Sequence, residues 1–145
     1  MRVKVHWKDN LRFEARDSLD TVRVNFDSRD PAIGGQGDGE TPKEAFLQSI
    51  AGCTGMDVIH ILRKMRAVMP DSFYITVNGE TAAKDPMVFT SIDLEYHAGG
   101  GTEKEKLLKA VKMSQETYCS VSIMVKKAAP LRYRVILNGE EIGVG

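Results

Sequence analysis

The sequence has little that announces a specialised chemistry. Its 145 residues include two cysteines and one tryptophan, and 20 basic residues against 20 acidic ones leave no formal net charge. That balance removes the basic footprint of a nucleic-acid-binding or anionic-membrane-binding domain. No uninterrupted apolar run approaches the roughly 20 residues of a membrane-spanning helix, so no membrane partner is expected. Residues 1–20 are charged and alternating, without the apolar stretch of a secretory signal, and the expected setting is cytoplasmic. There is no Cys-x-x-Cys and no His-x-x-x-His, and His6, His60 and His97 are scattered, so no metal site is expected. The run Gly34-Gly35-Gln36-Gly37-Asp38-Gly39 lacks the Gly-Lys-Ser/Thr ending of a phosphate loop, and no Gly-x-Ser-x-Gly elbow is present. Internal repeats and low-complexity tracts are also missing.

What is present suits one globular domain spanning 1–145. Apolar residues are 42% and charged residues 28%, enough for a packed core without disulfides. Val3–Trp7, Leu11–Ala15 and Thr21–Phe26 alternate with period two and predict three antiparallel strands. Residues 27–41, rich in glycine, predict a loop of about 15 residues, a length at which loops are either functional or flexible connectors. Thr41-Pro42 with Glu44 three positions after the threonine predicts a capping box. The helix it opens is predicted from Pro42 to about Val68. Two glycines beside Cys53, Gly52 and Gly55, each cost that helix about 1 kcal/mol against alanine, which implies a close approach by another helix or a substrate.

After Pro70 the pattern predicts a strand over Phe73–Val77, a turn at Asn78-Gly79 and a return strand over Glu80–Lys84. A strand over Phe89–His97, a helix capped by Thr102 running toward Tyr118, a short helix from Cys119 to about Ala128 and a strand over Leu131–Leu137 follow, with a short Ile142–Val144 tail. The segregated order predicts an α+β fold with a mainly antiparallel sheet. The long helix is apolar nearly all round and wants burial on several sides, which a dimer would provide.

Cys53 and Cys119 each sit in an apolar stretch of helical spacing. In a cytoplasmic setting thiols are mostly kept reduced, which leaves buried core thiols or transient redox chemistry. A reactive thiolate needs a nearby cation, and arginine suits because it stays charged. His60 falls two helical turns after Cys53 on the same face, either lining a pocket or simply solvated.

Thr41-Pro42-Lys43-Glu44-Ala45-Phe46-Leu47, Ala51-Gly52-Cys53-Thr54-Gly55-Met56-Asp57-Val58 and Tyr118-Cys119-Ser120-Val121-Ser122 resemble the two cysteine helices of the OsmC/Ohr family, the osmotically inducible and organic hydroperoxide resistance proteins. The element order and the spacing from Pro42 to Cys53 match as well. The resemblance implies an intertwined homodimer around a long central helix, each site built from both subunits. It also implies thiol-dependent reduction of organic hydroperoxides, with Cys53 peroxidatic, Cys119 resolving and a dithiol or lipoylated protein as reductant. No metal, haem or flavin cofactor is implied. The family's arginine maps onto Arg29 through Phe26-Asp27-Ser28-Arg29, with Lys8 and Arg12 as alternatives from the first hairpin. Its glutamate directly follows the helix-opening proline; that position is Lys43 here, and Glu44 comes one residue later, about 100° around the helix. A non-catalytic, dimeric small-molecule binding or redox-sensing module is the alternative function.

Overall fold

The computed structural model describes residues 2–145. They fold as two compact units that divide between Phe46 and Leu47. The first holds an antiparallel sheet of β1 (Lys4–Asp9), β2 (Arg12–Arg16) and β3 (Val22–Phe26), in that order. Its register sets Val5 against Ala15 and Ala15 against Val24, and Trp7 against Phe13 and Phe13 against Phe26. Alternation therefore collects these six apolar side chains on one face. Yet Val5 is 51% and Trp7 66% exposed, and among the described residues up to Phe46 only Asp27 is buried. Three strands with an apolar face are the minimum for independent stability, and this sheet leaves that face largely wet.

The glycine-rich segment after β3 is an ordered loop built around Asp27. Its carboxylate accepts from the backbone N–H of Ser28 at 2.7 Å and from those of Gln36 and Asp38 at 3.1 Å each. Gly37 supplies the left-handed backbone this wrap needs, with φ at +73°. Burial works to raise the Asp27 carboxyl, but the ring of amide donors outweighs it and holds the group below the usual aspartate range.

The predicted capping box forms. Glu44 N–H donates to Thr41 Oγ1 at 3.3 Å, and Thr41 N–H donates to Glu44 Oε2 at 3.0 Å. It opens α1 (Pro42–Lys64), 23 residues long, or about 34 Å. The helix stops short of the expected Val68. Arg66 adopts φ +50°, while Ala67 N–H bonds Leu62 O and Arg66 N–H bonds Arg63 O, the paired closure of a left-handed helix end. Against the expectation drawn from uninterrupted runs, α1 is long and apolar enough to cross a membrane, with a mean hydropathy of 1.3. In this fold, however, Ile50, Thr54, Val58, Ile61 and Leu62 are buried, and the apolar members of that stripe join the core.

In the second unit β4 (Ser72–Thr81), β5 (Phe89–Gly99), β6 (Leu131–Leu137) and β7 (Glu140–Val144) form one sheet in the order β4-β5-β6-β7. Two expectations fail here. Asn78-Gly79 is not a turn, since Asn78 pairs with Asp93 and Gly79 with Ile92 inside the β4–β5 ladder. Glycine serves another purpose: a Cβ at Gly79 would lie 2.5 Å from Phe89 Cε1 and 3.2 Å from Leu47 Cδ2, so its absence lets Phe89 lie across the strand. Glu80–Lys84 is accordingly no return strand, and the reversal falls between Thr81 and Phe89. The β5–β6 pair is parallel, because the helical segment between them is a crossover rather than a hairpin. That crossover comprises α2 (Lys104–Met113), a π-helical turn over Ser114–Tyr118 and α3 (Ser120–Val125). α3 is shorter than expected. α2 is capped at Glu103 rather than Thr102, whose buried hydroxyl has no hydrogen-bond partner among the described residues. Ile50, Val58 and Leu62 of α1 pack with Ile92, Leu94 and Tyr96 of β5, Leu107 and Val111 of α2, and Val135 of β6 in one core.

Candidate redox site

The two thiols meet. Cys53 Sγ on α1, Cys119 Sγ at the start of α3 and a carboxylate oxygen of Asp57 all lie within 4.8 Å of one another. Asp57 joins because it is one helical turn after Cys53, on the same face. Cys53 and Asp57 are partly exposed, whereas Cys119 is fully buried. The Cys119 sulfur accepts from Ser122 Oγ at 3.2 Å and from Ser122 N–H at 3.4 Å. The π-helical turn places it there: a wide turn inserted after α2 re-aims the chain, and such turns recur at functional sites.

Burial, above all, raises the Cys53 thiol above its ordinary value. A hydrogen bond with Cys119 and the charges of Cys119 and Asp57 push the same way, and only the Val121 N–H opposes them. Within its own unit the Cys53 thiol is therefore held protonated rather than activated.

A buried polar chain runs behind the thiols. Gln115 Nε2 donates to the Tyr96 hydroxyl at 2.6 Å, Tyr96 OH and Thr54 Oγ1 are 2.6 Å apart, and Thr54 Oγ1 and Ser114 Oγ are 2.8 Å apart. Ser114 Oγ reaches Asp57 Oδ2 at 3.3 Å. An amide donor at one end and a carboxylate acceptor at the other fix the direction: Tyr96 donates to Thr54, Thr54 to Ser114 and Ser114 to Asp57. Gln115 Nε2 also lies 3.3 Å from Ser122 Oγ, so one amide links this chain to the serine that holds Cys119. Burial drives the Tyr96 phenol up to about 12, despite its bonds to Thr54 and Gln115.

Of the four residues expected at the site, Cys53 and Cys119 come together in the second unit. Arg29 and Glu44 come together in the first, where Arg29 Nη2 lies 3.0 Å from the Glu44 carboxylate. Glu44 is also spoken for by Thr41, and its carboxyl is lowered first by the Thr41 bonds and then by Arg29. His60 is exposed and lines an open groove of about 500 Å³ with Gly52, Met56 and Arg63 of α1 and Phe73–Ile75 of β4. Sequence reasoning missed Asp57, Thr54, Tyr96, Ser114 and Gln115. The four-residue offset from Cys53 could have found Asp57; the others are joined only through tertiary packing.

Thiols within 4.8 Å of one another can close a disulfide of about 2.05 Å once their side chains turn toward each other. The model of the OsmC-like protein family matches residues 35–134. Protein YhfA of Escherichia coli K12 is 30% identical over 135 residues, covering 92% of this chain and 95% of that protein. A solved hypothetical protein from Aquifex aeolicus VF5 is 31% identical with a TM-score of 0.81, covering 97% of both chains. An organic hydroperoxide resistance protein from Legionella pneumophila, described as a predicted redox protein, is 17% identical with a TM-score of 0.69, covering 93% of this chain and 95% of that one. It shares the α+β fold. The chain belongs to the OsmC-like protein family.

Proposed function

We propose that this chain is a thiol-dependent reductase of organic hydroperoxides, acting as a cytoplasmic homodimer with residues 1–145 as one functional domain. The observation that carries the reading is the Cys53–Cys119 pair within 4.8 Å, with Cys53 partly exposed and Cys119 buried. In the first step the Cys53 thiolate attacks the distal peroxide oxygen, the O–O bond breaks, and the alkoxide leaves as an alcohol after taking a proton. Cys53 becomes a sulfenic acid. The Cys119 thiol then displaces hydroxide from it, forming the disulfide and water. A dithiol, free or as a lipoyl group on a protein, reopens the disulfide by exchange and is itself oxidised.

Among the described residues, no cation stands among the causes that shift the Cys53 thiol, and the proposed chemistry needs one to lower it. Arg29 of a second copy, oriented by Glu44, is the group assigned that part. The uncovered apolar face of β1–β3 and the open face of α1 at Gly52 and Met56 are the surfaces the second copy would bury. At Gly52 an added Cβ would meet nothing within 4 Å among the described residues, which leaves room for a close helix. Family membership and the described role of the Legionella relative point the same way.

The test is turnover of cumene hydroperoxide with dithiothreitol. Wild type should reduce it, Cys53→Ser should be inactive, and Arg29→Ala should lose most of the rate. Equal turnover in wild type and Cys53→Ser sinks the proposal. A second reading, a non-catalytic binding or redox-sensing dimer, draws on the upward displacement of the Cys53 thiol. An alkylation-rate profile at or above the ordinary thiol midpoint, together with no turnover, would favour it.

A further inference from the structure

We propose that Cys53, Asp57 and Cys119 also form a binding site for a single zinc-type dication. The inference needs the donors to be together; it does not need the thiols to react with peroxides. Two sulfurs and one carboxylate oxygen lie within 4.8 Å of one another. Zinc takes sulfur at about 2.3 Å and carboxylate oxygen at about 2.1 Å, which in a tetrahedron spaces the donors about 3.6–3.8 Å apart. From within 4.8 Å, closing to that spacing brings the donors together by about 1 Å.

The donor set selects the metal. Two thiolates exclude calcium and magnesium, which prefer oxygen cages, and favour Zn²⁺, Cd²⁺ or Co²⁺. Three protein ligands leave a fourth position. Because Cys53 and Asp57 are partly exposed, that position faces the solvent side, which is also the path of entry. The supports such a site requires are present: Ser114 Oγ bonds Asp57 Oδ2 at 3.3 Å, and Ser122 holds the Cys119 sulfur through its hydroxyl and N–H. Partners of this kind orient metal ligands. Local spacing hid the site, since its ligands come from α1 and from the start of α3 rather than from one motif. A bound dication engages the sulfur lone pairs, so the site can hold a metal or form the disulfide, but not both.

The experiment uses the full chain, reduced and freed of metal, titrated with Co²⁺ and followed by absorption. The expected result is saturation at one Co²⁺ per chain with tetrahedral visible bands and a near-ultraviolet thiolate-to-cobalt band, both displaced by Zn²⁺. Cys53→Ser and Cys119→Ser should each lose about half of the charge-transfer intensity. Asp57→Asn should keep that band but bind Zn²⁺ about tenfold more weakly or worse, measured by competition with a chromogenic chelator. Absence of the charge-transfer band in wild type overturns the proposal whatever the variants do, and so does Zn²⁺ affinity unchanged in Asp57→Asn. A failed cobalt titration leaves the hydroperoxide reading standing, and an inactive peroxidase leaves this one standing.

Discussion

Replacing Tyr96 with phenylalanine isolates the buried polar chain from the packing around it. The ring is fully buried and sits edge-on to Tyr133, with centroids 6.1 Å apart and planes at 90°; phenylalanine keeps all of that. What goes is one hydroxyl, which accepts from Gln115 Nε2 and pairs with Thr54 Oγ1, each at 2.6 Å. At about 1 kcal/mol net per hydrogen bond, two bonds come to about 2 kcal/mol. Gln115 Nε2 keeps Thr54 Oγ1 at 3.2 Å and Ser122 Oγ at 3.3 Å as acceptors, so no donor is stranded and no further penalty is added. The variant should therefore unfold in urea at a lower midpoint with an unchanged slope, and melt roughly 4–8 °C lower at equal protein concentration. A double-mutant cycle with Thr54→Val adds the decisive control. If the hydroxyls act as one chain, the double variant loses less than the sum of the two singles, with a coupling of about 1 kcal/mol. A loss below about 0.5 kcal/mol for Tyr96→Phe, or strict additivity in the cycle, refutes the reasoning.

Gly79→Ala should cost roughly 1–3 kcal/mol by urea unfolding, because the new methyl lands 2.5 Å from the Phe89 ring; Gly79→Ala combined with Phe89→Ala should recover part of it. A Cβ added at Gly52 meets nothing within 4 Å among the described residues, so Gly52→Leu should keep its fold by circular dichroism, and the proposed dimer should give way to monomer in sedimentation. A variant that stays dimeric would remove α1 from the interface. Asp57→Asn should move the pH midpoint of Cys53 alkylation downward. The thiol is raised by burial first, then by Cys119, with Asp57 as a further contribution, so removing one negative charge relieves part of the displacement and makes thiolate available at lower pH. An unchanged or higher midpoint contradicts that electrostatic reading.

The legible parts of this fold were those written in local chemistry. The capping box at Thr41 and Glu44 formed as its spacing required. The alternation of Phe89–His97 became β5, with Ile92, Leu94 and Tyr96 buried on one side. The failures share a cause: a residue's local meaning was overridden by something distant in sequence. Asn78-Gly79 carries a hairpin signal, but glycine was wanted there so that Phe89 could cross the strand. The helix before Cys119 was expected to run on toward Tyr118, yet it widens into a π-turn whose carrier, Gln115, bonds partners on α1 and β5. At the site itself both cysteines could be named from sequence, while the polar chain behind them could not, since hydroxyls on three elements show no common period.

The same logic bears on what the thiol pair lacks. Burial, a second sulfur and a carboxylate all act against ionisation of Cys53, so the assembled donors want positive charge. The two cations proposed for them differ in consequence. A guanidinium presents fixed donors beside the sulfur and leaves its lone pairs free, which favours the thiolate and its attack on peroxide. A zinc-type ion takes those lone pairs into coordination and withholds them. Arg29→Ala and added Zn²⁺ should therefore both slow Cys53 alkylation at neutral pH, but only the second effect should vanish on adding chelator. That contrast separates a site short of an activating charge from one occupied by a competing one.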